Sequence, residues 1–279
     1  MMREGIEPPM LVIEAGRAER QYWRDLWRYR ELFYFLAWRD VLVRYKQTAI
    51  GIGWALLRPL LTMVIFTLIF GRLAKLSSGS VPYPLLVLAA MLPWQFFANA
   101  LSETSNSLIG NANLISKVYF PRLIVPVSAV ITSLIDFFVS LSLLAVLMTW
   151  YRYTPDWRLL FLPLFTVMAF FVALGPGLYL TALNVKYRDL RYVIPFIVQC
   201  GWFISPVGFS SGIIPERWQM LYALNPMVGV IDGFRWAICR GGDGFDADSF
   251  IESLVVGVLL LWLGISHFRR TEKSFADII

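Results

Sequence analysis

The chain has 279 residues, of which 58% are hydrophobic and only 16% charged, and its mean hydropathy is +0.62. A water-soluble domain carries about 25% charged residues, so the composition excludes an ordinary cytosolic enzyme and places the chain in a bilayer. The formal charge of +6 gathers beside apolar runs, which assigns it to membrane surfaces and leaves no nucleic-acid partner to expect.

In chain order, residues 1–21 form a charged tail, and no cleavable signal peptide is expected because the first fifty residues are charged rather than apolar. Residues 22–47 form an interface segment, read as a single amphipathic helix over 22–45. Tyr22, Leu26, Tyr29, Phe33 and Leu36 recur at spacings of three and four on one face, and Arg24, Arg28, Glu31 and Arg39 lie opposite. This helix reads as an interfacial anchor or as a collar at the entrance of a path through the membrane. Phe35 and Trp38, on the polar side, add a protein contact to the lipid one.

A membrane crossing takes about 20 mostly apolar residues. Seven runs qualify: 50–71, 76–102, 123–151, 159–185, 192–215, 218–231 and 253–268. Seven crossings would put the termini on opposite sides, whereas both ends are basic and read as cytoplasmic. One run must therefore fail to cross. The poorest is 218–231, where Asn225, Pro226, Gly229, Asp232 and Arg235 interrupt the apolar pattern in and just beyond it. It reads as a pair of short re-entrant helices on the outer side, a form tolerated only where protein or a wet cavity covers the broken backbone. The remaining six crossings put most basic residues inside, with Arg72 and Lys75 a local violation. One all-α membrane domain over 48–270, followed by a cytoplasmic tail at 271–279, is the expected organisation.

Enzymatic signals are missing. There is no phosphate-binding G-x-x-x-x-G-K-[ST] loop, no C-x-x-C, no G-x-S-x-G and a single histidine, His267. Cys200 and Cys239 lie in apolar surroundings and read as free thiols. Glu103, Asp136 and Asp232 are isolated carboxylates in or near the spans, which are functional candidates by default. Structural roles compete: Asp136 pairing with a neighbouring helix, Glu103 at an interface, and Asp232 with Arg235 as an ion pair on one helical face.

Four ordered segments carry a family resemblance. They are Arg44-Tyr45-Lys46-Gln47-Thr48 with Gly51, Trp54 and Arg58-Pro59-Leu60; Ser116-Lys117-Val118-Tyr119-Phe120-Pro121-Arg122 with Pro126; Asn184-Val185-Lys186-Tyr187-Arg188-Asp189-Leu190; and Ser205-Pro206 followed by Asn225-Pro226-Met227 and Asp232-Gly233-Phe234-Arg235. Together, over about residues 20–279 and ending in Phe268 to Asp277, they resemble the membrane subunits of type-2 ABC exporters. The permeases that export O-antigen, capsule and teichoic acid chains are the nearest in pattern. The resemblance implies six spans per subunit in a bacterial inner membrane, a homodimer, and two copies of a separate ABC ATPase. It also implies a lipid-linked polysaccharide as substrate and an outer re-entrant pair between spans five and six. The chain itself then holds no cofactor, since ATP and Mg sit on the partner.

The same resemblance assigns the coupling helix to Asn113, Lys117, Tyr119, Phe120 and Arg122. A helix capped by Asn111 or Asn113 and stopped by Pro121 would present its aromatics to the ATPase, although a plain connecting loop fits the same residues. The basic loop 186–191 reads as a phospholipid anchor. A lipid-linked glycan carries a diphosphate, and Arg44, Lys46 and Arg58 are its candidate partners at the entrance. Interfacial snorkelling explains the same three. Flat rings suit the C–H faces of sugars, which makes Trp54, Phe66, Phe70, Trp94, Phe97, Phe137, Tyr179, Trp202 and Phe203 channel candidates, against the alternative of belt and lipid-facing rings. Export of a drug or lipid, or a membrane enzyme acting on polyprenyl-linked glycans, are the competing functions.

Overall fold

A computed structural model describes residues 19–46, 53–73, 81–187, 189–240 and 244–275. Gln47, Thr48, Gly51, Lys75, Arg188, Ala276 and Asp277, as well as most of the 1–21 tail, lie outside the described residues.

The described chain is helical, with no strand among its described residues. The expected single surface helix is two: α1 (Glu19–Arg28) and α2 (Arg30–Lys46), broken at Tyr29. Its apolar stripe is confirmed, because Tyr22, Leu26, Tyr29, Phe33 and Leu36 all pack on the core. Phe35 and Trp38 stay exposed. α3 (Gly53–Phe66) continues as a π-helical turn to Leu73. There follow α4 (Tyr83–Gly110), the short α5 (Ala112–Lys117), α6 (Ile124–Trp150), and α7 (Leu162–Lys186) entered through a 3-10 turn at Trp157–Phe161. α8 (Leu190–Ile204), α9 (Glu216–Ala223), α10 (Pro226–Ile238) and α11 (Ala247–Thr271) complete the set.

Five of these stretches are long and apolar enough to cross a membrane: Gly53–Leu73, Tyr83–Gly110, Ile124–Trp150, Trp157–Lys186 and Ala247–Thr271. α8, at 15 residues, is shorter. The run expected over 192–215 leaves its helix after Ile204, because Ser205 and Pro206 turn the backbone into extended and 3-10 conformations. The weak run is split as expected, into α9 and α10 at Asn225 and Pro226.

Two helices start on side chains that accept from their free backbone donors. Asp246 accepts from the amides of Asp248 (3.1 Å) and Ser249 (3.3 Å) to cap α11. Asn225 accepts from Met227 N (3.1 Å) to cap α10, with Pro226 in the first position, where no donor is missed. α4 is the axis of the bundle and packs on α6, α7, α10, α3 and α8. Its small residues Ala89, Ala90 and Ala100 are fully buried and let those neighbours approach. α3 with its π-helical continuation and α11 are the reverse, with Leu61, Ile65, Leu68, Val255, Val258 and Trp262 exposed. Apolar area of that kind needs lipid or a second chain to cover it.

Buried polar groups staple the helices. Asn184 on α7 donates to Ser105 O (2.9 Å) and Asn106 Oδ1 (3.2 Å) on α4, and Thr181 donates to Thr104 O (2.7 Å). Such bonds are worth about 1 kcal/mol each, and they give Asn184, one of the motif residues, a structural task. Cys200 and Cys239 are not joined in a disulfide.

Candidate functional site

Both ends of the surface helix meet the bundle through charge. Arg44, near the end of α2, pairs with Glu103 on α4 at 2.8 Å and with Asp136 on α6. Tyr45 donates its hydroxyl to the other oxygen of Asp136. Burial alone would lower the Arg44 pKa, but Asp136 and Glu103 outweigh it and push it up. The Tyr45 hydroxyl is pushed up too, by burial and by its bond to Asp136. A cavity of about 290 Å³ opens beside this joint, lined by Asp40, Val43, Arg44, Glu103, Ala129 and Thr132. One turn earlier, Arg39 donates to Asp40 (2.7 Å) and to Asn111 Oδ1 (2.7 Å).

This geometry alters the reading of the three cations. Arg44 was expected at a diphosphate, yet its charge is engaged by two carboxylates, so it acts as the anchor of α2. Asp136 does what was expected of it by pairing with a neighbouring helix. Lys46 and Arg58 are exposed, and Trp54, four residues before Arg58 on the same face, is exposed with it.

The loop after α4 also sorts its residues. Asn113, Lys117 and Tyr119 are exposed, Tyr119 by 67%. Phe120, expected beside Tyr119 as an outward aromatic, is only 5% exposed and belongs to the core. Pro121 is also buried, at the start of the turn that leads into α6. Asn111 occupies the capping position of α5 but makes no side-chain cap: its Oδ1 accepts from Arg39 at 2.7 Å, and its amide donates back to Ser107 O at 2.9 Å. Arg122 does not face outward either: its backbone N–H donates to Glu272 Oε1 at 2.9 Å, and its guanidinium donates to the Glu272 carbonyl.

Five of the aromatics expected to line a channel converge. Trp202 on α8 meets Phe66 (5.7 Å between ring centroids) and Trp94 (6.3 Å), Phe66 meets Phe70 (5.3 Å), and Trp94 meets Phe97 (5.4 Å). Two glycines make room for them. A Cβ on Gly201 would stand 2.7 Å from the Trp94 ring, and one on Gly208 would stand 3.1 Å from Phe66. Trp54, Tyr179 and Phe203 are not in this cluster; Tyr179 stacks near His267, 4.6 Å away. Phe137 is a core residue, packed between Phe96 and Phe234.

The last motif closes into one network. Asn225 donates to Ser205 Oγ at 2.9 Å. Arg235 on α10 directs Nη1 to Phe209 O (2.6 Å) and Nη2 to Val207 O (3.1 Å). The two segments thus fix the turn that follows α8 against α10, with Asp232 half-buried beside them.

Fold, motifs and comparison agree on the class. The pattern of the ABC-2 type transporter family matches residues 31–239, and the chain belongs to that family of multi-pass membrane proteins. It is 29% identical over 258 residues to the O-antigen export system permease protein RfbA of Myxococcus xanthus, covering 92% of this chain and 98% of that protein. It is 26% identical over 242 residues to the protein of the same name from Klebsiella pneumoniae, covering 86% and 92%. The polysialic acid transport protein KpsM of Escherichia coli is 23% identical over 243 residues, covering 85% and 92%.

Proposed function

We propose that this chain is the membrane-spanning permease subunit of an ATP-driven exporter that moves lipid-linked polysaccharide, of O-antigen or capsule type, across the bacterial inner membrane. The observation that carries it is the nearly end-to-end likeness to O-antigen export permeases. The chain has no phosphate-binding loop of its own, so ATP and Mg belong to a separate ABC ATPase, present in two copies beneath a homodimer of permeases.

In this reading α8 is a short fifth crossing, α9 and α10 are the outer re-entrant pair, and both termini face the cytoplasm. Asn113, Lys117 and Tyr119 form the surface offered to the ATPase. The glycan's diphosphate is admitted near Lys46 and Arg58, where fixed positive charge suits it. Phe66 lies two helical turns, about 12 Å, further along α3, so the sugar chain passes from Arg58 to the cluster around Trp202. Stacking on ring faces sets no single hydrogen-bond pattern and lets successive sugars slide. Nucleotide drives the cycle by favouring one arrangement of the two halves over the other.

Deleting the gene in its host and locating the lipid-linked glycan tests the reading. Full-length polymer trapped on the cytoplasmic side is the expected result. Normal surface glycan would move the proposal to export of a drug or lipid, and absence of polymer on both faces would favour an enzyme of glycan assembly.

A further inference from the structure

The C-terminal segment was expected to be a plain cytoplasmic tail, but it is docked. Phe268 and Phe275, seven residues apart, are both fully buried with ring centroids 5.4 Å apart. Between them the chain carries Glu272 into a junction of three distant segments. Its Oε1 accepts from the Arg122 backbone N–H at 2.9 Å and from the Tyr22 hydroxyl at 3.3 Å. Its carbonyl accepts from the Arg122 guanidinium. Arg269 completes the junction, with its guanidinium 4.2 Å from the centroid of the Tyr22 ring.

Desolvation pushes the Glu272 carboxyl above its ordinary pKa, and the bonds from Arg122 and Tyr22 and the charge of Arg269 oppose it. A carboxylate is a costly choice at such a place, but its oxygen accepts two donors at once, one from the turn that leaves α5 and one from α1. Tyr22 and Glu272 both lie outside residues 31–239, where the family pattern matches.

We propose that Glu272 is a positioning residue that clasps α1 to the turn after α5, so that movement imposed on α5 is delivered to the surface helix. The proposal rests on the exporter reading for what imposes that movement. Without the clasp, α5 moves while α1 stays, and ATP hydrolysis proceeds with less export.

The test uses the complete complex of this chain with its ATPase in proteoliposomes. Two quantities are measured: glycan exported per ATP hydrolysed, and hydrogen–deuterium exchange at residues 19–28 and 118–123. In Glu272→Ala the exchange at both segments rises about tenfold, and export per ATP falls about tenfold, the scale of two lost hydrogen bonds. Glu272→Gln keeps an oxygen acceptor in place and stays within about twofold of the native complex on both. Tyr22→Phe removes one hydroxyl, leaves the ring for Arg269, and lowers export per ATP about threefold. Unchanged exchange or an unchanged export ratio in Glu272→Ala overturns the clasp, and so does a Glu272→Gln complex as impaired as Glu272→Ala. Should Glu272→Ala fail to assemble, an unchanged ratio in Tyr22→Phe overturns it. A native complex that hydrolyses ATP and exports no glycan contradicts the exporter reading instead, and the exchange rates then decide the clasp.

Discussion

The seam between α7 and α11 and the joint between α2 and the bundle hold the molecule in opposite ways. At the seam, Gly175 and Gly264 bring two backbones into contact: a Cβ on Gly175 would stand 2.7 Å from Leu261 Cα, and one on Gly264 would run into the Gly175 carbonyl. No side-chain rotation can open such a contact. At the joint, Arg44 reaches across to Glu103 and Asp136, with Glu103 half-exposed to solvent. Ion pairs of this kind can be broken and remade. The difference teaches that the α7–α11 seam is closed by backbone shape, whereas α2 is held to the bundle by charge.

The largest expected effect lies at the seam. Gly264→Val forces α7 from α11 and costs about 3 kcal/mol, read as a lower midpoint of thermal unfolding in detergent; an unchanged midpoint would show that the seam is not closed by backbone contact. At the joint, Asp136→Ala leaves Arg44 and Tyr45 short of their main acceptor and costs about 2 kcal/mol. Proteolysis within α2 should accelerate while α7 and α11 stay protected, and equal loss at both places would erase the contrast. Glu103→Gln is milder, at about 0.5 kcal/mol, and its effect shrinks at high salt.

A pH series separates the joint from the Glu272 clasp. The folded pKa of Glu272 is raised, so protonation favours the folded state. Its contribution is fully present below the ordinary glutamate value of about 4.3 and is lost as pH rises through the folded value. Glu272→Gln should therefore flatten the stability curve over that window and be no less stable at neutral pH. A curve parallel to that of the native protein would contradict the assignment.

Much of this was legible in the sequence. The stripe from Tyr22 to Leu36 predicted the packed face of the surface helix, because helical spacing depends only on near neighbours. The break at Asn225-Pro226 was visible for the same reason, through capping chemistry. The ion pairs of Arg44 were not legible because its partners lie 59 and 92 residues away, and a basic residue at an interface has the same sequence signature whatever it pairs with. Phe120 and Tyr119 are adjacent aromatics, and their order in the chain does not tell the inward ring from the outward one. Glu272 went unread because it stands among charged neighbours; the spacing of Phe268 and Phe275 was the signal that the tail is docked. The aromatic cluster was legible in kind, while the choice of five members depends on how α3, α4 and α8 cross.

The most direct test of the central claim is translocation by the purified permease and its ATPase in proteoliposomes carrying lipid-linked O-antigen or capsule-type glycan on one leaflet. The account predicts ATP-dependent appearance of the glycan on the opposite side, lost on Arg58→Ala through weaker capture of the diphosphate. Vigorous ATP hydrolysis with the glycan left where it began would contradict it.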